Sequence, residues 1–534
     1  MTRGNRRVSR TFLADSAGNR RVSRAFLADS AGKRQIRLAF LADSTGQRKV
    51  YLAFLAVSGV LCILYLLLFR PVTWETQGDY PDYLDLARQI FHLPGASSED
   101  LGHRSPLYSV LMGLFILLFG EGHYLVPLVV FQYFLVFLSS ILVYKIILLL
   151  SGRDYVAFAA GLAGILNLAT VFFGYTILSE TLALFLFTLS AWLLLRYVHS
   201  GGNKVITAAG LATGLLILSR FNMMGLPVVI IILLILFFII RQPRHGFKNS
   251  VTGLSLFVAG MAFVLSLWVL RNYLETGRYE LIPRHHMGAR WAVQATISPS
   301  DSVSQEYRPV HDIFIRTREV LLEAEQARVY RKSSLMEYGF IRRMNNNLRP
   351  QVSGYLMYRD SEQDLLSYYR LDDTPEGILV LNEKLKPFYS QIAGQHRQEL
   401  RRFRFYSLLY TFKHISPTLP GGERLNLNRL PSPLLQAYKL LFIVSLVFVY
   451  AGSVVHMIWM LLRRERLVSG LKWFVLYGLI WYFPVVNWYA SVLGDANRFR
   501  YPADMILLGL LVTFLSFPVR GRRKLPPAEA ETTQ

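Results

Sequence analysis

The sequence predicts an all-α, polytopic membrane protein with about ten transmembrane helices and a large hydrophilic segment between the seventh and the eighth. Three observations predict it. Of 534 residues, 53% are hydrophobic and only 17% are charged, against about 25% charged in soluble chains. Several apolar runs approach or exceed the roughly 20 residues that a helix needs to cross a bilayer. The 58 Lys/Arg outnumber 35 Asp/Glu, a formal charge of +23, and the excess sits at the N-terminus and in short loops, as in cytoplasmic segments. A secreted soluble enzyme, a disordered protein and a disulfide scaffold are excluded. The single cysteine, Cys62, lies inside an apolar run and cannot form an internal disulfide. The basic loops read as membrane orientation, so nucleic acid is not an expected partner.

Residues 1–50 carry 12 Lys/Arg against three Asp. Phe-Leu-Ala recurs there every 14 residues, at Phe12, Phe26, Phe40 and Phe54. That period is close to four helical turns, so a helix would present each Phe on one face. A basic amphipathic helix drawn to anionic lipid is one reading. A tandem duplication in the coding sequence, or a start codon placed too far upstream, is the favoured one.

Spans are expected at about 51–69, 123–150, 155–175, 177–197, 205–219, 224–240, 251–270, 435–461, 472–490 and 502–518. The run 107–119 is about 13 residues, too short to cross comfortably. Leaving it at the interface, with a cytoplasmic N-terminus, puts three basic clusters on the cytoplasmic side: Arg241–Lys248, Arg463–Lys472 and Arg520–Lys524. The organisation expected is then basic repeats over 1–50 and a transmembrane core over 51–270 with an outer loop at 70–122. An outer loop domain follows over 271–434, then C-terminal helices over 435–518 and a cytoplasmic tail over 519–534.

Charged residues at span ends carry the functional information, because burying charge near lipid is costly. Asp79 opens a helix-like stretch in the first outer loop, where a carboxylate can simply cap the helix. Glu180 lies in an outer turn between two spans, and as a helix-start acid it has the same simple explanation. Arg220, Arg271, Arg498 and Arg500 end other outer turns. Each arginine alone can anchor at the interface. Together, two carboxylates and several arginines on one face suit an enzyme acting on a lipid phosphate, because arginine binds phosphate bidentately.

The order of these features resembles the GT-C superfamily of glycosyltransferases that use polyprenyl-phosphate sugars. The nearer resemblance is to the branch of protein O-mannosyltransferases and bacterial aminoarabinose and lipopolysaccharide-core sugar transferases. The matching pieces are Gly78-Asp79 followed by Tyr83 and Ala87-Arg88, His103-Arg104-Ser105-Pro106-Leu107-Tyr108, and Phe119-Gly120. Further on come Leu178-Ser179-Glu180-Thr181-Leu182, Leu218-Ser219-Arg220, Leu270-Arg271-Asn272-Tyr273 and Arg498-Phe499-Arg500-Tyr501-Pro502. The resemblance implies that Asp79 is the base for an acceptor hydroxyl, with Glu180 as the acid of the second outer loop. It implies a polyprenyl-phosphate sugar as donor, transfer with inversion at the extracytoplasmic side of the membrane, and Arg104, Arg220, Arg271, Arg498, Arg500 and Tyr501 as substrate and phosphate contacts. The chain departs from the family where Tyr80 replaces a second acid and where Glu180 stands in place of the more frequent Asp.

No His/Asp/Glu cluster has metal-ligand spacing, His285-His286 is a bare pair, and no H-E-x-x-H is present. No cofactor is expected, although a divalent metal is not excluded. Gly-rich nucleotide loops are missing, which fits a lipid-linked donor better than a nucleotide sugar. The alternatives are a transporter or flippase for a lipid-linked saccharide, and a polysaccharide polymerase or ligase. The transporter predicts mid-span charge, and the spans here are nearly free of it apart from Lys145.

Overall fold

The computed structural model describes residues 44–69, 79–96, 104–245, 247–277, 279, 281, 292–332, 354–412, 432–462, 464–490 and 499–516. The 14-residue repeats up to residue 43, the tail after 516, His285-His286 and Arg498 lie outside the described residues. The chain divides into two compact units, Met1–Val57 and Ser58–Gln534. Of the first, the described part is the start of helix α1 (Ser44–Leu68).

Every regular element among the described residues is helical. Among the described residues, six helices are long and apolar enough to cross a membrane: Gly46–Leu68, Leu125–Ser151, Glu180–Ser200, Phe221–Ile240, Lys248–Glu275 and Leu440–Leu462. The pair Asp154–Leu166 and Leu168–Tyr175 passes the same test only when taken together, bent by 53° at Asn167, and is either a broken span or a re-entrant loop. Three expected spans differ. The helices at Asn203–Ser219 and Tyr501–Ser516 are shorter. The run 472–490 belongs to a longer helix, Arg464–Ala490, in which Lys472, Pro484 and Asn487 dilute the apolar stretch.

In the second unit, α2 (Tyr80–Phe91) packs on α3 (Pro106–Phe119). At 1.5 Å per residue, the 14 residues of α3 cover about 21 Å, well short of the roughly 30 Å hydrocarbon layer. Helix α4 (Leu125–Ser151) is followed by the bent pair α5 (Asp154–Leu166) and α6 (Leu168–Tyr175). The bend has a local cause. Asn167 is extended, and its side chain accepts from the Ala169 N–H at 3.2 Å, which caps α6. Tyr438 donates to the same Asn167 oxygen at 3.0 Å and accepts from the Leu168 N–H at 3.3 Å. The Leu168 and Ala169 N–H groups freed by the break are thereby paired inside the protein, as a break among apolar helices requires.

Helices α7 (Glu180–Ser200), α8 (Asn203–Ser219), α9 (Leu226–His245) and α10 (Phe247–Thr276) follow. Helices α8 and α10 touch backbone to backbone. A Cβ on Gly210 would stand 2.1 Å from the Phe257 carbonyl oxygen, and one on Gly260 would stand 2.6 Å from that of Thr207. Only glycine permits that approach.

Residues 292–332 and 354–412 build a small helical body from α11 (Arg308–Lys332), α12 (Gly354–Tyr369), α13 (Pro375–Gln395) and α14 (Arg397–Thr411). Its core includes Ile297, Val310, Phe314, Leu365, Leu381 and Phe388, with the Phe314 and Phe388 rings stacked at 5.7 Å. His396, between α13 and α14, lies 2.7 Å from Asp301 and 3.0 Å from Glu399. Three further helices, α15 (Ser432–Leu462), α16 (Arg464–Ala490) and α17 (Asp504–Ser516), complete the described chain.

Candidate active site

Asp79 stands immediately before α2, yet it makes no side-chain capping bond there. Its carboxylate pairs instead with Arg104, whose Nη1 lies 2.8 Å from Oδ1. Arg104 also donates from Nε to Asp82 Oδ2 at 2.7 Å. One guanidinium thus joins two carboxylates of α2's first turn. Burial works against the charge on Arg104, but Asp79 and Asp82 outweigh it and raise its pKa above the ordinary arginine value.

A second ion pair lies nearby. Glu180 opens α7 and is fully buried, and its Oε1 is 2.8 Å from Nη1 of Arg220, the residue that ends α8. That contact is an ion pair off the hydrogen-bond direction, so Nη1 of the buried Arg220 has no aligned acceptor among the described residues. The Phe499 ring lies 5.4 Å from the guanidinium carbon on another side, within cation–π reach.

Two contacts bind the pairs into one site. The Phe221 N–H, next to Arg220, donates to Ser105 Oγ at 2.9 Å, next to Arg104. The Tyr83 hydroxyl, one turn after Asp79, lies 3.0 Å from Ser179 Oγ, next to Glu180. Burial is the main cause of the raised Tyr83 pKa. Asp79 and Glu180 add to it, while Arg104 and Arg220 oppose it, so all four charges act on one hydroxyl.

Polar contacts below the site hold its turns. Tyr108 Oη donates to Gln132 Oε1 at 2.7 Å, and Gln132 Nε2 donates to the carbonyls of Gly174 and Thr176 at 3.0 Å each. Gln132 therefore fixes the end of α6 and the turn that leads to Ser179 and Glu180.

The structure brings together Asp79, Arg104, Glu180 and Arg220 of the residues expected from sequence. Arg271 occupies a different environment, paired with Glu275 at 2.5 Å and with the Trp268 ring 4.9 Å away. Arg500 is fully buried. Its Nε donates to Asp504 Oδ1 at 2.7 Å and its Nη2 to Oδ2 at 3.1 Å. Its Nη1 donates to the Thr411 carbonyl at the end of α14. Tyr501 is buried with its ring 4.5 Å from that of Phe173. Arg500 is thus engaged by protein groups, whereas the Tyr501 hydroxyl has no aligned hydrogen-bond partner among the described residues and feels the charge of Glu180.

Residues 103–269 match the family model described as dolichyl-phosphate-mannose-protein mannosyltransferase. The GT-C resemblance is borne out over that segment. It contains Arg104, Glu180 and Arg220. No curated protein matches the chain. Two solved structures are similar to it, both of ArnT from Cupriavidus metallidurans. One, bound to undecaprenyl phosphate, has 15% identity and a TM-score of 0.34 over 84% of this chain and 78% of that one. The apo structure has 14% identity and a TM-score of 0.34 over 83% and 77%. At that TM-score the likeness carries no argument about the site.

Tyr83, named from the sequence only within the family motif, is buried between the two ion pairs. Its signal was the spacing from Asp79. Ser105 sat in a motif without an assigned role, Asp82 falls between the motif residues Asp79 and Tyr83, and Phe499 was visible only as a neighbour of two arginines. Among the described residues no group of three or more His, Cys, Asp or Glu is placed to hold a metal ion.

Proposed function

We propose that the protein is a membrane glycosyltransferase that moves a sugar from a polyprenyl-phosphate donor to a hydroxyl acceptor, with Asp79 as the general base. The observation that carries this reading is the family match over 103–269, which takes in three of the four charged residues that meet in the site.

The chemistry assigns each residue a task. The acceptor oxygen attacks the anomeric carbon from the face opposite the phosphate. The bond from that carbon to the phosphate oxygen breaks, and the lipid phosphate leaves with the electron pair. Inversion follows from this geometry. The acceptor hydroxyl becomes acidic as the new bond forms, and Asp79 takes its proton. Arg104 holds Asp79 in place at 2.8 Å.

The leaving phosphate gains negative charge, and fixed cations stabilise that gain where water is excluded. Arg220 is the main candidate, because it is buried and its Nη1 has no aligned acceptor among the described residues. Arg104, already chelating two carboxylates, is the second. Glu180 keeps Arg220 aimed until a phosphate arrives. The acceptor site, the identity of the sugar and the extracytoplasmic placement belong to this proposal, as do a hexose or pentose as the group transferred and the inner or plasma membrane as the location.

The test is incubation of purified protein with defined polyprenyl-phosphate sugars and a panel of hydroxyl acceptors, followed by mass spectrometry. A product heavier by one sugar residue, with release of polyprenyl phosphate, supports the reading. Movement of the intact lipid-linked saccharide across a vesicle without bond cleavage would replace it with the flippase alternative.

A further inference from the structure

Among the described residues, helix α14 carries more positive charge than its neighbours neutralise. Its 15 residues contain Arg397, Arg401, Arg402 and Arg404 against a single acid, Glu399, and Glu399 is already paired with His396 at 3.0 Å. All four arginines are exposed. No described residue forms an ion pair with any of them. Arg397, Arg401 and Arg404 follow one another at helical spacings of four and three, where like charges repel. Phe405 adjoins this stripe and is 46% exposed.

The C-terminal end of α14 is fixed among the apolar helices. Thr411 Oγ1 accepts from Asn487 Nδ2 at 2.9 Å, and its carbonyl accepts from the buried Arg500. Asn487 lies near the end of α16, and Asp504, the partner of Arg500, is the first residue of α17. The anchor therefore sits where two mostly apolar helices end. Arg404 lies seven residues before Thr411, about 10 Å along the axis, and Arg401 about 15 Å. The headgroup layer begins at that border and is roughly 5–8 Å deep on each side. Any tilt of α14 brings its arginines closer to it.

We infer that the arginine face of α14 binds the phosphate of anionic bilayer lipids, with Phe405 at the level of the headgroups, about 9 Å along the axis from Thr411. A guanidinium matches a phosphate bidentately, and the unneutralised stripe supplies the complementary charge. The surface is separate from the Asp79–Arg104 and Glu180–Arg220 pairs, and it does not depend on the reaction proposed for them.

The test uses the full chain, purified with a mixture of phosphatidylcholine and phosphatidylglycerol, with retained lipids counted by native mass spectrometry. One arginine near an anionic surface is worth roughly fivefold in binding. Replacing Arg397, Arg401, Arg402 and Arg404 together by Gln should reduce phosphatidylglycerol retention on the order of tenfold or more, with phosphatidylcholine unchanged. The same four positions as Lys should keep most of it. Arg308→Gln with Arg370→Gln, two exposed arginines on other elements, should change nothing. Unchanged phosphatidylglycerol in the four-Gln variant, or an equal fall in the Arg308/Arg370 control, overturns the inference. A spin label at Arg404→Cys in a Cys62→Ser background gives a second reading. Its depth should fall at the headgroup level, and a label fully in bulk water overturns the inference independently of any folding defect in the four-Gln variant.

Discussion

The buried pair Arg500–Asp504 offers a sharp perturbation, because its two side chains are fully buried and each is the other's counter-charge. Asp504→Asn removes the carboxylate charge that lies 2.7 Å from the guanidinium. Breaking a buried pair by removing one partner costs about 3–5 kcal/mol. Arg500→Met strands the carboxylate at a similar cost and also removes the donor to the Thr411 carbonyl, an additional loss of about 1–3 kcal/mol. The double variant Arg500→Met/Asp504→Leu leaves only the carbonyl term, since an apolar pair of similar volume is often neutral or better than a buried ion pair. The double variant should therefore be more stable than either single variant, with a coupling of several kcal/mol. Denaturant or thermal unfolding in lipid nanodiscs reads the stabilities, and binding of a polyprenyl-phosphate sugar reads the donor site. The double variant should bind donor within a few-fold of wild type. Two results would refute the reasoning. One is a double variant as unstable as the worse single variant. The other is a loss of donor affinity with stability intact, which would return Arg500 to the phosphate.

The other perturbations act on separate links. Arg220→Gln should weaken donor binding as well as turnover, because a phosphate ligand acts in both ground and transition states; an unchanged donor affinity measured by titration would remove Arg220 from the phosphate site. Tyr83→Phe deletes the hydroxyl 3.0 Å from Ser179 and should cost about 1 kcal/mol of stability, with the Ser179→Ala variant costing no more when the two are combined; additive losses would show that the two groups do not share a bond. Gly174→Ala would place a Cβ 2.6 Å from the Tyr133 ring, an overpacking worth about 1–3 kcal/mol. It should lower the melting temperature and slow transfer through the Glu180 turn, and wild-type behaviour in both would mean that the turn is not held through α6.

Much of the fold was legible because the bilayer imposes a long apolar signal on each helix. Leu125–Ser151 and Lys248–Glu275 stand close to where their apolar runs place them. The bend at Asn167 was not legible, because one Asn among apolar residues reads as part of a continuous span, and its stabilising partner, Tyr438, comes from a distant helix. The site divides in the same way. Asp79, Glu180 and Arg220 were visible as charges at helix ends, where their presence is costly, and Arg104 only through the family motif that contains it. Their pairing was not, because each ion pair joins different elements, Arg104 meeting Asp79 across 25 positions. The Arg500–Asp504 pair was legible in principle from its i,i+4 spacing, but the late arginine motif drew Arg500 toward the phosphate instead.

The central claim rests on Asp79, and Asp79→Asn tests it most directly. The change keeps the size of the side chain and removes its capacity to take a proton. Turnover and donor affinity should be measured side by side on protein reconstituted with a polyprenyl-phosphate sugar and an accepted acceptor. A general base contributes typically 10²–10⁴-fold, so turnover should fall by roughly that factor while donor affinity stays within a few-fold. Near wild-type turnover would contradict the account, leaving Asp79 as no more than the partner of Arg104 and making Asp82 or Glu180 the next candidate for the base.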